Sequence, residues 1–179
     1  MNQSQESRNY FAKECLQTAL IDLLKDKEFH QISIIELSRR AGVSRMAFYR
    51  NYNSMIDIVS DYFEKTHFGI PAGKINGKNQ YLPDIIRCTF LFFRANKILM
   101  PRLVESGNTD IIMRSMEKQF STTFYSLLSF YGFESKYEIS ALVGIFYKIL
   151  IDWVQSGMQE PVETMAIIVY RIMTKFDVV

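Results

Sequence analysis

A chain of 179 residues, 48% hydrophobic and 22% charged, can bury the core of one domain or of a small domain joined to a larger one. That composition excludes a wholly disordered chain, and the lack of any run of 18 uncharged apolar residues excludes a membrane-spanning helix. A formal net charge of +2 is too small to single out a partner by itself.

The first eight residues are polar and carry no apolar signal-peptide core, so a cytoplasmic location is expected, with no membrane partner. Cys15 and Cys88 lie far apart within apolar-periodic segments and have no CxxC or Cys/His spacing. Both are expected reduced and buried. With only His30 and His67 as histidines, neither a metal site nor a His-dependent catalytic dyad is expected. No glycine-rich phosphate loop, Ser/His/Asp set or paired carboxylates on one helix face is present, so no catalytic residues and no cofactor are assigned.

Almost every segment reads as helix. Over residues 7–25, Phe11, Cys15, Leu16, Ala19, Leu20, Leu23 and Leu24 follow the three/four spacing of one buried face. Ser33 stands where an N-cap belongs, with Glu36 at capping-box spacing, and starts a short helix that carries Ile34, Leu37 and Ala41 inward. Gly42 supplies a tight turn. Ser44 caps a third helix, from which Phe48 and Tyr52 reach the core. Ser54 caps a fourth, with Ile56, Val59 and Phe63 on one face.

Residues 33–52 meet the requirements of a helix-turn-helix: a supporting helix, a glycine turn, and a second helix with a free outer face. That outer face holds Ser44, Arg45, Met46, Ala47, Tyr49 and Arg50. Arginine can grip guanine or phosphate with two hydrogen bonds, serine and tyrosine hydroxyls suit phosphate, and Met46 and Ala47 suit a thymine methyl. Ser33, at a helix start, suits a phosphate as well. From Leu37 through Ile56 there is no Asp or Glu, while Arg39, Arg40, Arg45 and Arg50 supply four positive charges. The blander alternative is a solvated arginine face beside a half-buried Tyr49.

The run ISIIELSRRAGVSRMAFYRNYNSMIDIV, with the amphipathic helix before it, resembles the DNA-binding domain of the TetR/AcrR family over about residues 8–65. The Ala-Gly-Val-Ser turn, the aromatic-Tyr pair and the further aromatic carry the resemblance. It implies that Ser33, Ser44, Arg45, Met46, Tyr49 and Arg50 face double-stranded DNA, with Asn51 at a position that approaches the backbone. Met55 departs from the Lys usual at the start of the fourth helix, which would lower the electrostatic share of binding or shift it to another residue such as Arg39 or Arg40.

Residues 67–82, rich in Gly and Asn, read as a boundary or hinge. Beyond them, helices are expected over residues 83–96, 97–105, 108–131, 136–156 and 161–176. The last two are apolar over more than half their surface, through Ile139, Leu142, Val143, Phe146, Leu150 and Trp153, and through Val162, Met165, Val169, Ile172 and Phe176. Burial within the chain explains this, and so does a two-fold interface with a second copy. The resemblance favours a homodimer joined through Ile139, Val143, Phe146, Leu150, Trp153, Met165, Val169 and Ile172. It also implies a small-molecule effector pocket, for which Phe90, Phe93, Arg94, Phe120 and Phe124 are the candidates. Arg87, Arg94 and Arg114 would meet an anionic ligand or water.

The expectation is therefore an all-α chain. Residues 1–66 form a three-helix helix-turn-helix domain, and residues 67–179 form a helical regulatory and dimerisation domain. The implied function is a ligand-responsive repressor on a palindromic operator. The alternative is a dimeric ligand- or protein-binding module whose helix-turn-helix no longer reads DNA.

Overall fold

The computed structural model describes residues 3–70, 81–122 and 125–175, and every regular element among them is a helix. Helix α1 (Gln3–Leu23) buries Ala12, Leu16, Ala19 and Leu20, with Leu24 buried just past its end. Phe11, expected on that face, is 66% exposed. A helix turns 100° per residue, so Phe11 belongs to the neighbouring row with Cys15, Thr18 and Asp22. Cys15 and Cys88 form no disulfide with each other, and both are half-buried rather than enclosed.

Two short helices follow, α2 (Ile34–Arg40) and α3 (Arg45–Asn51). Between them Gly42 takes φ +66°, a left-handed conformation most residues resist. Helix α4 (Met55–Thr66) starts at a complete capping box: Ser54 Oγ accepts the Asp57 N–H, and the Asp57 carboxylate accepts the Ser54 N–H at 3.0 Å.

A 3₁₀ turn, His67–Gly69, ends α4 with three consecutive left-handed residues. It is not loose. Phe68 is buried between the rings of Phe63, Phe92 and Phe93, at 5.2, 5.8 and 6.1 Å. A Cβ on Gly69 would stand 2.9 Å from that of Phe92, so only glycine lets this turn lie so close to the next helix. The expected hinge over residues 67–82 thus begins pinned to the core, and its stretch 71–80 lies outside the described residues.

The remaining helices are α5 (Leu82–Ala95), α6 (Leu99–Glu105), α7 (Asp110–Thr122), α8 (Tyr125–Phe130), α9 (Lys136–Gln155) and α10 (Val162–Thr174). The helix expected over residues 108–131 is described as α7 and α8, with 123–124 outside the description. Pro161 stands at the N-cap of α10 rather than inside its first turn. Helix α5 packs on α10, α9 packs on α7 and α6, and α4 packs on both α1 and α7. The buried side chains form one continuous cluster from Leu16 to Met173.

The apolar stripes of α9 and α10 serve this interior. Ile139, Val143, Phe146, Leu150, Trp153, Met165 and Val169 are buried within the single chain, and Ile172 is half-buried. Phe146 meets Phe90 and Phe120 at 5.6 and 6.2 Å, and Phe90 sits edge-on to Trp153 at 5.1 Å. Within the single chain, α5, α6 and α7 cover these residues. Phe176 lies outside the described residues.

Candidate nucleic-acid interface

Helix α3 is two turns long, too short to hold itself in water, so its position comes from its ends and its one buried residue. At the start, Ser44 Oγ accepts the Ala47 N–H at 3.1 Å. In the middle, Phe48 is fully buried. Just past the end, Tyr52 is buried with its hydroxyl donating to Asp61 of α4 at 2.8 Å.

With Phe48 and Tyr52 inward, the opposite face looks outward. Ser44, Arg45 and Arg50 are exposed, as are Met46 at 61% and Tyr49 at 56%. The Tyr49 ring leans edge-on against Phe48 at 5.4 Å, which steadies it while leaving its hydroxyl free to reach outward. Ala47 and Asn51 are half-buried, and Asn51 spends its amide N–H on the Ala47 carbonyl at 2.7 Å.

On α2, exposed Ser33 accepts the Glu36 N–H at 3.1 Å. The capping-box spacing is half used, because the Glu36 carboxylate turns instead to Lys27 Nζ at 2.6 Å. That pairing leaves the acidic residue inside the motif neutralised. Arg40 is paired with Asp22, whose carboxyl is held below the usual range, first by its bond to Lys25 and then by Arg40. Among the described residues, Arg39, Arg45 and Arg50 make no ion pair, so the uncompensated positive charge collects on the outer side of α2 and α3. Met55 packs its side chain partly into the core, which accounts for an apolar residue where the resemblance implies a phosphate-binding cation.

One outward residue escaped the sequence reading. Ile35 of α2 is 62% exposed. The signal was available: once Ile34, Leu37 and Ala41 take the inward positions, Ile35 has no inward place left, and an isoleucine held in water on this face is a candidate contact for a thymine methyl. The bond between Tyr52 and Asp61 was missed too, although a buried tyrosine hydroxyl calls for a partner.

Of the expected effector residues, Phe90, Phe93 and Phe120 are buried among other rings, while Phe124 lies outside the described residues. Arg94 donates to the backbone carbonyls of Met158 and Glu160, both at 2.6 Å, and lies 5.0 Å over the Trp153 ring. It clasps the turn between α9 and α10, where Met158 holds a left-handed φ of 55°. Arg87 pairs with Glu163 at 3.3 Å and Arg114 with Asp110 at 2.6 Å. All three arginines therefore have internal partners. Open grooves lie beside α1 and α2, at about 560 Å³ along Cys15, Asp22 and Arg40, and between α4 and α7, at about 310 Å³, where Glu64 pairs with Lys118 at 2.7 Å.

Three solved structures share this arrangement along most of their length. A dihydroxyacetone kinase operon activator, DhaS, superposes with a TM-score of 0.65 at 14% identity, covering 92% of this chain and 94% of its own. The fatty acid degradation regulator FadR from Bacillus halodurans gives 0.59 at 12% identity, covering 93% and 96%. A TetR transcriptional regulator from Rhodococcus sp. RHA1 gives 0.59 at 14% identity, covering 89% and 93%. The fold is that of the TetR-type regulators. No family profile matches the sequence, and no curated protein does. The TetR-type likeness therefore lies in backbone architecture and in the short run of residues around the turn. No described helix is long and apolar enough to cross a membrane.

Proposed function

We propose that this protein is a DNA-binding transcriptional regulator that enters the major groove with α3. The observation that carries the reading is the outward row of Arg45, Met46, Tyr49 and Arg50, held on a capped helix by Phe48 and Tyr52. Arg45 and Arg50 read base edges or grip phosphate, Met46 and Ile35 meet thymine methyls, and Ser33, Ser44 and Tyr49 bind phosphate oxygens. Asn51 has a lesser part, since its amide already serves the helix. A surface with no anionic partner gains nothing from three unpaired arginines beside exposed Met46, Tyr49 and Ile35. That argues against a helix-turn-helix retained without its DNA.

The protein acts as a homodimer on a palindrome, since two recognition helices read one only at a fixed spacing of about 34–36 Å. With the expected stripe turned inward, the partner meets the other side of α9 and α10. Ala141 and Lys148 are exposed there, Gly144 and Ile145 half-exposed, and Ile167 fully outward. Residues 1–66 carry DNA binding and residues 67–179 carry assembly and response.

Occupancy of an operator suffices to block transcription, whereas activation needs a further contact, so repression is the simpler sign. An effector releases DNA by binding better to a bundle arrangement other than this closed one, and its differential affinity bounds the shift it can cause. The test titrates the purified protein against duplexes selected from a randomised pool, and against a scrambled duplex, at two salt concentrations. Preference for the selected duplex, with affinity falling as salt rises, is the expected result. Equal indifference to every duplex from a folded dimer overturns the reading.

A further inference from the structure

Asp61 lies on the inner side of α4, and both of its oxygens are taken. Oδ2 accepts the Tyr52 hydroxyl at 2.8 Å and the Gln17 amide at 3.0 Å, and lies 3.2 Å from Lys65 Nζ. Oδ1 accepts Lys13 Nζ at 3.1 Å, and the same ammonium stands 5.2 Å over the Tyr52 ring. One carboxylate therefore joins α1, the residue that ends α3, and α4. Lys65 extends the set by pairing with Glu14 of α1 at 3.1 Å.

Packing alone does not explain this arrangement. Tyr52 is buried and already packs its ring 6.2 Å from Phe48. A phenylalanine would fill the same volume. What the hydroxyl adds is direction, because a hydrogen bond to a fixed oxygen limits ring rotation and sliding in a way that apolar contact does not. Helix α3 needs such a constraint. It has one buried residue of its own, Phe48, which can act as a pivot. A second anchor at position 52, tied to the rigid side of α4, turns that pivot into a fixed angle.

We propose that Asp61 is a positioning residue for the recognition helix: through the Tyr52 hydroxyl, with Lys13 and Gln17 holding the carboxylate in place, it sets the angle at which α3 presents its outer face to DNA. This rests on the DNA-binding reading above. Base contacts depend on that angle far more than phosphate contacts do, since a bidentate pair tolerates little displacement while a screened charge tolerates much. Loss of the link should therefore cost discrimination between sequences before it costs affinity for DNA in general.

The test uses the full chain and the duplex that the wild-type protein selects from a randomised pool, with a scrambled duplex as reference. Tyr52→Phe and Asp61→Ala are compared with wild type, well below each protein's unfolding temperature. Tyr52→Phe keeps the ring and every charge, so it remains informative should Asp61→Ala fail to fold. The expected result is a fall of about tenfold in the ratio of selected to scrambled affinity, the scale of one good base contact. For Tyr52→Phe the scrambled-duplex affinity and its salt slope stay unchanged. The double variant falls no further than the worse single one, because both remove the same link. A merely structural role lowers the melting temperature of Tyr52→Phe but leaves the ratio at the wild-type value, and that result overturns the proposal. If wild type selects no duplex at all, the DNA-binding reading fails and this inference with it.

Discussion

Helices α3 and α9 both carry more apolar and aromatic side chains than one buried face requires, and they place the surplus in opposite directions. In α9, Ile139, Leu142, Val143, Phe146, Leu150, Ile151, Trp153 and Val154 are all buried against neighbours within the chain. In α3, Phe48 alone is buried, while Met46 and Tyr49 stay in water beside two arginines. The contrast teaches that apolar content alone does not mark an interface. On α9 it is the interior of the fold. On α3 it is held outward by a cap and two anchors, at the cost of exposing apolar surface, and so points to a partner.

The sharpest way to break this comparison is to empty the α9 side. Phe146→Ala should cost about 3–5 kcal/mol of stability in a denaturant melt, because the site between Phe90 and Phe120 cannot collapse. A cost below about 1 kcal/mol would mean that the bundle repacks freely and that α9 is not the core described. Gly69→Ala comes next. It drives a Cβ into Phe92 at a left-handed φ, and a loss of about 1–3 kcal/mol is expected.

On the α3 side the expected effects are on binding. Arg45→Ala should leave the melting temperature nearly unchanged while reducing sequence discrimination by about 1–3 kcal/mol. Ser44→Ala should cost about 1 kcal/mol of stability by removing the cap, with a matching loss of α3 order in amide exchange. The smallest effect is in acid. Burial pushes the Asp61 carboxyl up, but bonds from Tyr52, Lys13 and Lys65 outweigh it and hold it below the ordinary aspartate value. A depressed carboxyl contributes stability that is present above its unfolded value, near pH 4, and lost as pH falls through the lower folded value. Asp61→Asn should therefore be less stable than wild type at neutral pH and lose stability less steeply below pH 4.

Much of the N-terminal part was legible in the sequence, because caps and turns are local. Ser33, Ser44 and Ser54 each cap a helix, Gly42 turns, and Phe48 and Tyr52 go inward, as their spacing predicts. The all-helical class followed from periodicity. What was not legible is long-range. The arginines 87, 94 and 114 find partners at Glu163, the Met158 and Glu160 carbonyls, and Asp110, and only the last is near in sequence. The stripe on α9 was readable as a stripe, but whether α5 and α7 or a second copy covers it depends on how the chain folds back. Phe11 shows the limit of a period count, since one row of offset separates a buried residue from an exposed one.

The central claim is that the outer face of α3 reads DNA and is not needed for folding, and the most direct test is one variant measured two ways. Arg45→Ala combined with Tyr49→Ala should melt within a few degrees of wild type, yet show no preference between the wild-type-selected duplex and a scrambled one. A well-folded double variant that keeps the full wild-type preference would contradict the account.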